Sequence, residues 1–305
     1  MAHGTWFMHR IHDACSMLHA TTENQTNKME QIEKGPIGVF DSGYGGLTIL
    51  DGIRKRMPQY DYIYLGDNAR TPYGTRSFDV VYEFTLQAVK KLFASGCPLV
   101  ILGCNTASAK ALRSIQQQYL PGHAPANRVL GVIRPTAEIV GQLSKTRHIG
   151  VLATEGTIKS ESYKLEIEKL YPGTTITGQA CPMWVPLVEN NEFDKPGADY
   201  FVKDSITQLM QKDPLIDTVI LGCTHYPLLL DKIKLYMPAG VQVISQGKYI
   251  ATSLEDYLHR HPEMDARLTR GGTCQYMTSE SPSKFKECAS LFLKEEVEAT
   301  RITLN

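Results

Sequence analysis

Val100-Ile101-Leu102-Gly103-Cys104 recurs unchanged as Val219-Ile220-Leu221-Gly222-Cys223. A second short string, IGV, also occurs twice, at 37–39 and 149–151. In each copy IGV comes first and VILGC comes about seventy residues later. Apolar strands resemble one another, so one match would mean little. Two matches in the same order at similar spacing predict a duplicated unit.

The surroundings of these strings predict what the unit is. From Pro36 onward short apolar runs alternate with longer amphipathic segments: IGVF (37–40), YIYL (62–65), LVILG (99–103), VLGVI (129–133), IGVLA (149–153), VILG (219–222) and VQVI (241–244). Between them lie helical patterns such as Ser77–Ala94 and Asn105–Tyr119. Continuous apolar runs separated by helices indicate parallel strands buried on both faces, hence an α/β fold. In each half the cysteine stands at the carboxyl end of a strand, the end at which open α/β sheets bind ligands. Two halves related by an approximate two-fold axis would bring Cys104 and Cys223 together across one cleft.

The balance of 32 Lys plus Arg against 32 Asp plus Glu gives no electrostatic case for nucleic acid or a membrane surface. No apolar run approaches the ~20 residues of a membrane span. Seven cysteines at positions 15, 97, 104, 181, 223, 274 and 288, with no CxxC, read as reduced thiols and a cytoplasmic protein. His9, Arg10, His12 and Asp13 interrupt what would be the apolar core of a signal peptide. Residues 1–34 are expected to be a flexible tail, of which 1–28, ending before Met29, read as additional to the fold or as the product of an upstream start codon.

Free cysteine is among the most buried residue types, and Cys97, Cys181, Cys274 and Cys288 read as structural. Cys104 and Cys223 are set apart by their C-terminal neighbours. Cys104-Asn105-Thr106-Ala107 sets polar groups and a helix start beside one thiol, whose backbone N–H groups would bind a carboxylate and lower the thiol pKa. Cys223-Thr224-His225-Tyr226-Pro227 sets an imidazole two residues from the other, where it can relay protons. Asp41-Ser42-Gly43-Tyr44-Gly45-Gly46 reads as a Gly-rich turn and fits neither the dinucleotide nor the P-loop pattern; its Asp and Ser would suit an amino-acid ligand. Thr71-Pro72-Tyr73-Gly74 is a turn that presents backbone N–H groups, and Thr154–Thr157 takes the place in the second half that Asp41–Gly46 takes in the first. Glu189 by itself reads as a helix-surface acid, and Arg134 receives no role. Cys104, Cys223 and His225 are possible metal ligands, but no closely spaced pair of the structural zinc type accompanies them. No lysine stands in a constellation suited to a pyridoxal Schiff base.

Taken together, DSGYGGL (41–47), GDNARTPYG (66–74), GCNTAS (103–108), ATEGT (153–157), VEN around Glu189 and GCTHYPLL (222–229) resemble glutamate racemase, in the aspartate/glutamate racemase superfamily. The resemblance runs from about Gly35 to about Gln246. It implies two pseudo-symmetric α/β domains with mainly parallel sheets and the active site between them: 35–132 plus 245–305, and 133–244. It implies a cofactor-independent, metal-free reaction on glutamate in which Cys104 deprotonates the D-enantiomer and Cys223 the L-enantiomer. Asp41 would assist Cys104, and Glu189 and His225 would assist Cys223. Asp67 matches a further catalytic acid. Substrate contacts would come from Asp41, Ser42, Tyr73, Gly74, Asn105, Thr106, Thr224 and His225. The implied setting is a cytoplasmic homodimer supplying D-glutamate for peptidoglycan, and so for cell-wall biogenesis and cell shape. Three other readings keep a place: a superfamily member acting on another acid, such as a one-thiol decarboxylase; a two-lobed binding module without chemistry; and a Cys–His hydrolase.

Overall fold

The computed structural model describes residues 33–305; the expectations for residues 1–32, Met29 and Cys15 among them, lie outside the described residues. The chain runs β1 (Ile37–Asp41), α1 (Leu47–Arg56), β2 (Tyr62–Gly66), α2 (Phe78–Ala94), β3 (Leu99–Leu102), α3 (Asn105–Lys110) and β4 (Arg128–Gly131). It continues as α4 (Ile133–Leu143), β5 (His148–Ala153), α5 (Glu155–Lys159), α6 (Ser162–Leu170), β6 (Thr175–Ala180), α7 (Trp184–Glu189), α8 (Pro196–Lys212), β7 (Thr218–Gly222) and β8 (Gln242–Ile244). It closes with α9 (Gly247–Arg260), β9 (Cys274–Thr278), α10 (Pro282–Leu293) and β10 (Ala299–Arg301).

The strands form two sheets, ordered β10-β9-β2-β1-β3-β4 and β6-β5-β7-β8, and every ladder is parallel. Leaving aside the β9–β10 extension, each sheet places its second, first, third and fourth strands side by side in that order. The two repeated strings even pair in the same register, Gly38 with Val100 and Gly150 with Val219. A Cβ on either glycine would press on a helix leucine, 3.2 Å from Leu92 of α2 or 2.9 Å from Leu209 of α8. The repeated glycine thus lets a helix lie close on the sheet at the same point in each half.

The apolar runs are continuous because both faces of these strands are covered. Leu99 and Ile101 face the cluster under α1, α9 and α10, while Val100 and Leu102 face the one under α2 and α3. In the second sheet Val219 and Leu221 face α7 and α8, and Ile220 faces α4 and α6. Each such fully buried aliphatic side chain contributes about 1.5–3 kcal/mol. Ser77 caps α2 by accepting the Val80 N–H at 3.4 Å, so the expected helix over Ser77–Ala94 forms.

Asn105–Tyr119, expected as one helical run, divides. After α3 the chain makes a short turn at Leu112–Ser114 and a π-helical turn over Ile115–Tyr119, so the stretch is helical without being one regular α-helix. The run expected over 129–133 ends as a strand at Gly131, and Ile133 already belongs to α4. Pro135 lies in the first turn of α4, where a missing N–H costs nothing. The strands β6, β9 and β10 add to the expected set. Their residues, TITGQA, CQYMT and ATR, are partly exposed and do not form an apolar run.

Candidate active site

Parallel pairing puts the carboxyl ends of β1 and β3 beside each other, and likewise those of β5 and β7. Asp41 is the last residue of β1 and is completely buried. Its Oδ1 accepts the Gly43 N–H at 2.8 Å and its Oδ2 accepts the Thr224 hydroxyl at 3.3 Å. That second bond joins the end of the first sheet to the residue after Cys223, so the strand ends meet. Cys104 sits at the N-cap of α3, its Sγ accepting the Ala107 N–H at 3.4 Å and sharing a 3.3 Å hydrogen bond with Ser42 Oγ.

On the other side Cys223 Sγ lies 3.8 Å from His225 Nδ1, and His225 Nε2 hydrogen-bonds Glu189 Oε1 at 2.9 Å. Glu189, which alone reads as a surface acid, is instead the last residue of α7 turned inward onto this imidazole. It also accepts the Thr71 hydroxyl at 3.3 Å. The loop after β1 fits closely against this side. A Cβ on Gly45 would fall 2.5 Å from His225 Nδ1, and one on Gly43 would fall 2.7 Å from Glu189 Oε1. Only a bare backbone leaves the imidazole its place.

The two thiols are 6 % and 7 % exposed, and a negative charge on Cys223 is near enough to disfavour ionisation of Cys104. Their ionisable partners differ. Burial pushes the Cys104 thiol up to about 12, and the Asp41 carboxylate adds to the rise; Ser42 and the Ala107 N–H only partly offset it. The helix start therefore does not produce the low pKa expected of it in the ligand-free protein. Asp41 is itself raised above the usual carboxylate range by burial, against the pull of His225 and two backbone N–H groups. His225 titrates well above an ordinary histidine. Burial works against its charge, but the Cys223 and Glu189 partners outweigh that penalty.

The remaining expected residues are buried and hydrogen-bonded to one another or to nearby groups. Thr106, Thr154 and Thr157 make a triangle of hydroxyls at 2.9, 3.1 and 3.4 Å. The Gly74 carbonyl accepts the Gly156 N–H at 2.8 Å. Asp67 is fully engaged: Arg70 Nε and Ser279 Oγ each reach it at 2.7 Å, and the Tyr73 hydroxyl donates to it as well. Its observed contacts hold Tyr73 in place. Asn105 belongs to a buried cluster that the sequence did not reveal. Its Nδ2 donates to Gln246 Oε1 at 2.7 Å, and its Oδ1 accepts Tyr163 OH at 2.6 Å. Gln246 in turn donates to Tyr163 at 2.6 Å and to Thr136 at 2.8 Å. No motif marks Gln246 or Tyr163, which meet Asn105 from 141 and 58 positions away. Cys97 and Cys181 are buried, with thiols pushed up to about 12 by that burial. Arg134 is exposed and pairs with Glu138 at 3.0 Å and Glu166 at 3.3 Å.

This arrangement offers two thiols on one site, each with its own ionisable partner, and hydroxyl and amide groups around them. It suits proton transfer to and from one small substrate. The family model for Asp/Glu/hydantoin racemase matches residues 48–254. A glutamate racemase of Roseobacter denitrificans is 40% identical over 273 residues, covering 86% of this chain and 98% of that protein. Among solved structures, a glutamate racemase isoform from Bacillus anthracis matches with a TM-score of 0.80 at 33% identity, covering 88% of this chain and 98% of that one. A Francisella tularensis glutamate racemase in complex with D-glutamate matches with a TM-score of 0.79 at 30% identity, over 90% and 99% of the two chains.

Proposed function

This chain belongs to the Asp/Glu/hydantoin racemase family, among its glutamate racemases, and on that footing we propose that it interconverts L- and D-glutamate by two-base proton transfer between Cys104 and Cys223. The observation that carries the reading is the meeting of two buried thiols with different ionisable partners, Asp41 beside Cys104 and the His225–Glu189 pair beside Cys223.

In the proposed reaction the Cys223 thiolate takes the α-proton of L-glutamate. The C–H bond breaks, an S–H bond forms, and the electron pair stays on the α-carbon beside the carboxylate. The Cys104 thiol then gives its proton to the opposite face, leaving Cys104 as the thiolate. The D-to-L direction runs these steps backwards. A thiol has an ordinary pKa near ~8.5, far below that of an α-carbon proton, so the site has to stabilise the carbanion-like transition state. Burial of both thiols limits competing water. The Ser42, Thr106 and Thr224 hydroxyls, with Asn105, Tyr73 and Gly74, would bind and orient the substrate. Asp67 would act through Tyr73 as a positioning residue. His225, 3.8 Å from Cys223 and hydrogen-bonded to Glu189, would relay protons on the Cys223 side. Asp41 would take the proton of the Cys104 thiol when that residue must act as the thiolate base, and return it afterwards.

No step calls for a cofactor or a metal. The two sheets would act as two lobes, 35–132 plus 245–305 and 133–244, whose relative movement admits substrate. The product would serve peptidoglycan synthesis in the cytoplasm, and the chain would work as a homodimer. Among the described residues no helix is long and apolar enough to cross a membrane. Circular dichroism of L- or D-glutamate incubated with the purified chain, nothing else added, tests the central reading. Decay of either enantiomer's signal to zero is expected; a constant signal from both would overturn it.

A further inference from the structure

Two polar contacts hold His225: a 2.9 Å hydrogen bond to Glu189 and a long 3.8 Å approach to Cys223, which restrains the ring only weakly on the thiol side. Packing restrains it further. One neighbour is the Gly45 backbone, on which a Cβ would fall 2.5 Å from Nδ1. Another is Phe292, near the end of α10, whose ring stands at 88° to the imidazole with centroids 5.9 Å apart. Phe292 packs against the apolar cluster under the first sheet and also against the one under the second. It stacks on Tyr44 at 6.4 Å, in the loop that follows Asp41 and carries Gly45. The helix does not depend on Phe292 for its seat. Phe285 is completely buried against Tyr44, Tyr64 and Tyr276 at 5.7, 6.2 and 6.2 Å.

We propose that Phe292 is a positioning residue for His225, and through it for the Cys223 half of the reaction alone. This rests on the two-base reading above. The Cys104 half has no such dependence, because Tyr44 keeps its contact with Phe285 when Phe292 is truncated. The C-terminal helix, which lies outside the residues matched by the family model, thereby becomes part of the machinery of one face of the site.

Racemisation itself cannot separate the two halves, since its equilibrium constant of unity ties the two directions together. A substrate with a leaving group can. Each enantiomer of 3-chloroglutamate loses chloride as its α-proton is removed: the proton passes to one thiolate, a carbon–carbon double bond forms, and no second base is needed. Chloride release is measured for the wild type, Phe292→Ala, Phe292→Tyr and Cys223→Ser. The Cys223→Ser chain identifies the enantiomer that needs Cys223. For that enantiomer Phe292→Ala should be slower by about tenfold to a hundredfold, and for the other by less than about threefold. Phe292→Tyr, which keeps the ring, should restore release to near the wild-type rate. Equal losses for both enantiomers, or none, would overturn the role of Phe292 while leaving the two-base reading intact. A wild-type chain that releases chloride from neither enantiomer would overturn both.

Discussion

Cys104 and Cys223 end identical pentapeptides on strands that pair in the same register, yet they face different ionisable partners. Cys104 looks onto Asp41 and Ser42, Cys223 onto His225 backed by Glu189. The difference shows which part of the design the duplication supplies. The repeated strands deliver two thiols to one place, and residues outside the repeat set a carboxylate beside one and an imidazole backed by a carboxylate beside the other. A mirror-image substrate and product call for two bases on opposite faces; they do not call for two identical pockets.

The comparison breaks most completely when either thiol is removed. Cys104→Ala and Cys223→Ala should each lower the racemisation rate by about 10⁴ or more, read by circular dichroism, because neither half alone completes the inversion. The scaffold beneath the thiols should respond evenly. Leu102→Ala and Leu221→Ala truncate equivalent, fully covered positions of the repeat, and each should cost about 2–5 kcal/mol in urea unfolding. A cost at one position alone would mean that the two halves are not equivalent in packing. His225→Asn removes the imidazole on one side only. It should lower kcat about a hundredfold, measured in the racemisation assay, and leave Cys104-dependent chloride release from 3-chloroglutamate close to the wild-type rate.

The smallest effect concerns the free protein. A Cys104 thiol near about 12 is protonated at neutral pH, so its alkylation by iodoacetamide should keep accelerating about tenfold per pH unit well past the range of an ordinary cysteine. Asp41 is among the groups that raise that pKa, so Asp41→Asn lowers it, and alkylation at a given pH should become severalfold faster. Peptide mass spectrometry of the Cys104 adduct reads both effects. A plateau at pH 8, or slower labelling of the Asp41→Asn chain, would contradict the assignment of the anionic side.

Burial decides which elements are legible in the amino-acid sequence. Strands β1, β3, β5 and β7 are covered on both faces, so each carries a continuous apolar run and their repetition is visible. Strand β6 lies at a sheet edge, and β9 and β10 form the outer strands of the other sheet; all three carry polar, half-exposed residues that look like loop. The same contrast applies at the site. Cys104, Asp41, Cys223 and His225 stand at or immediately beyond strand ends, where position along the chain implies position in space. Gln246, Tyr163 and Phe292 reach the site from distant helices and turns through side-chain contacts, and no local pattern announces them. Glu189 is visible as a motif residue, but its inward turn onto His225 is a tertiary fact.

The central claim, that two thiols act from opposite sides of one carbon, is tested most directly by running L-glutamate in D2O to low conversion and weighing both enantiomers after separation. Two bases predict that the D-glutamate formed carries one deuterium at its α-carbon while the remaining L-glutamate carries almost none. Product that keeps the original hydrogen, or unreacted L-glutamate labelled as fast as product forms, would mean that a single base serves both faces and would contradict the two-thiol mechanism.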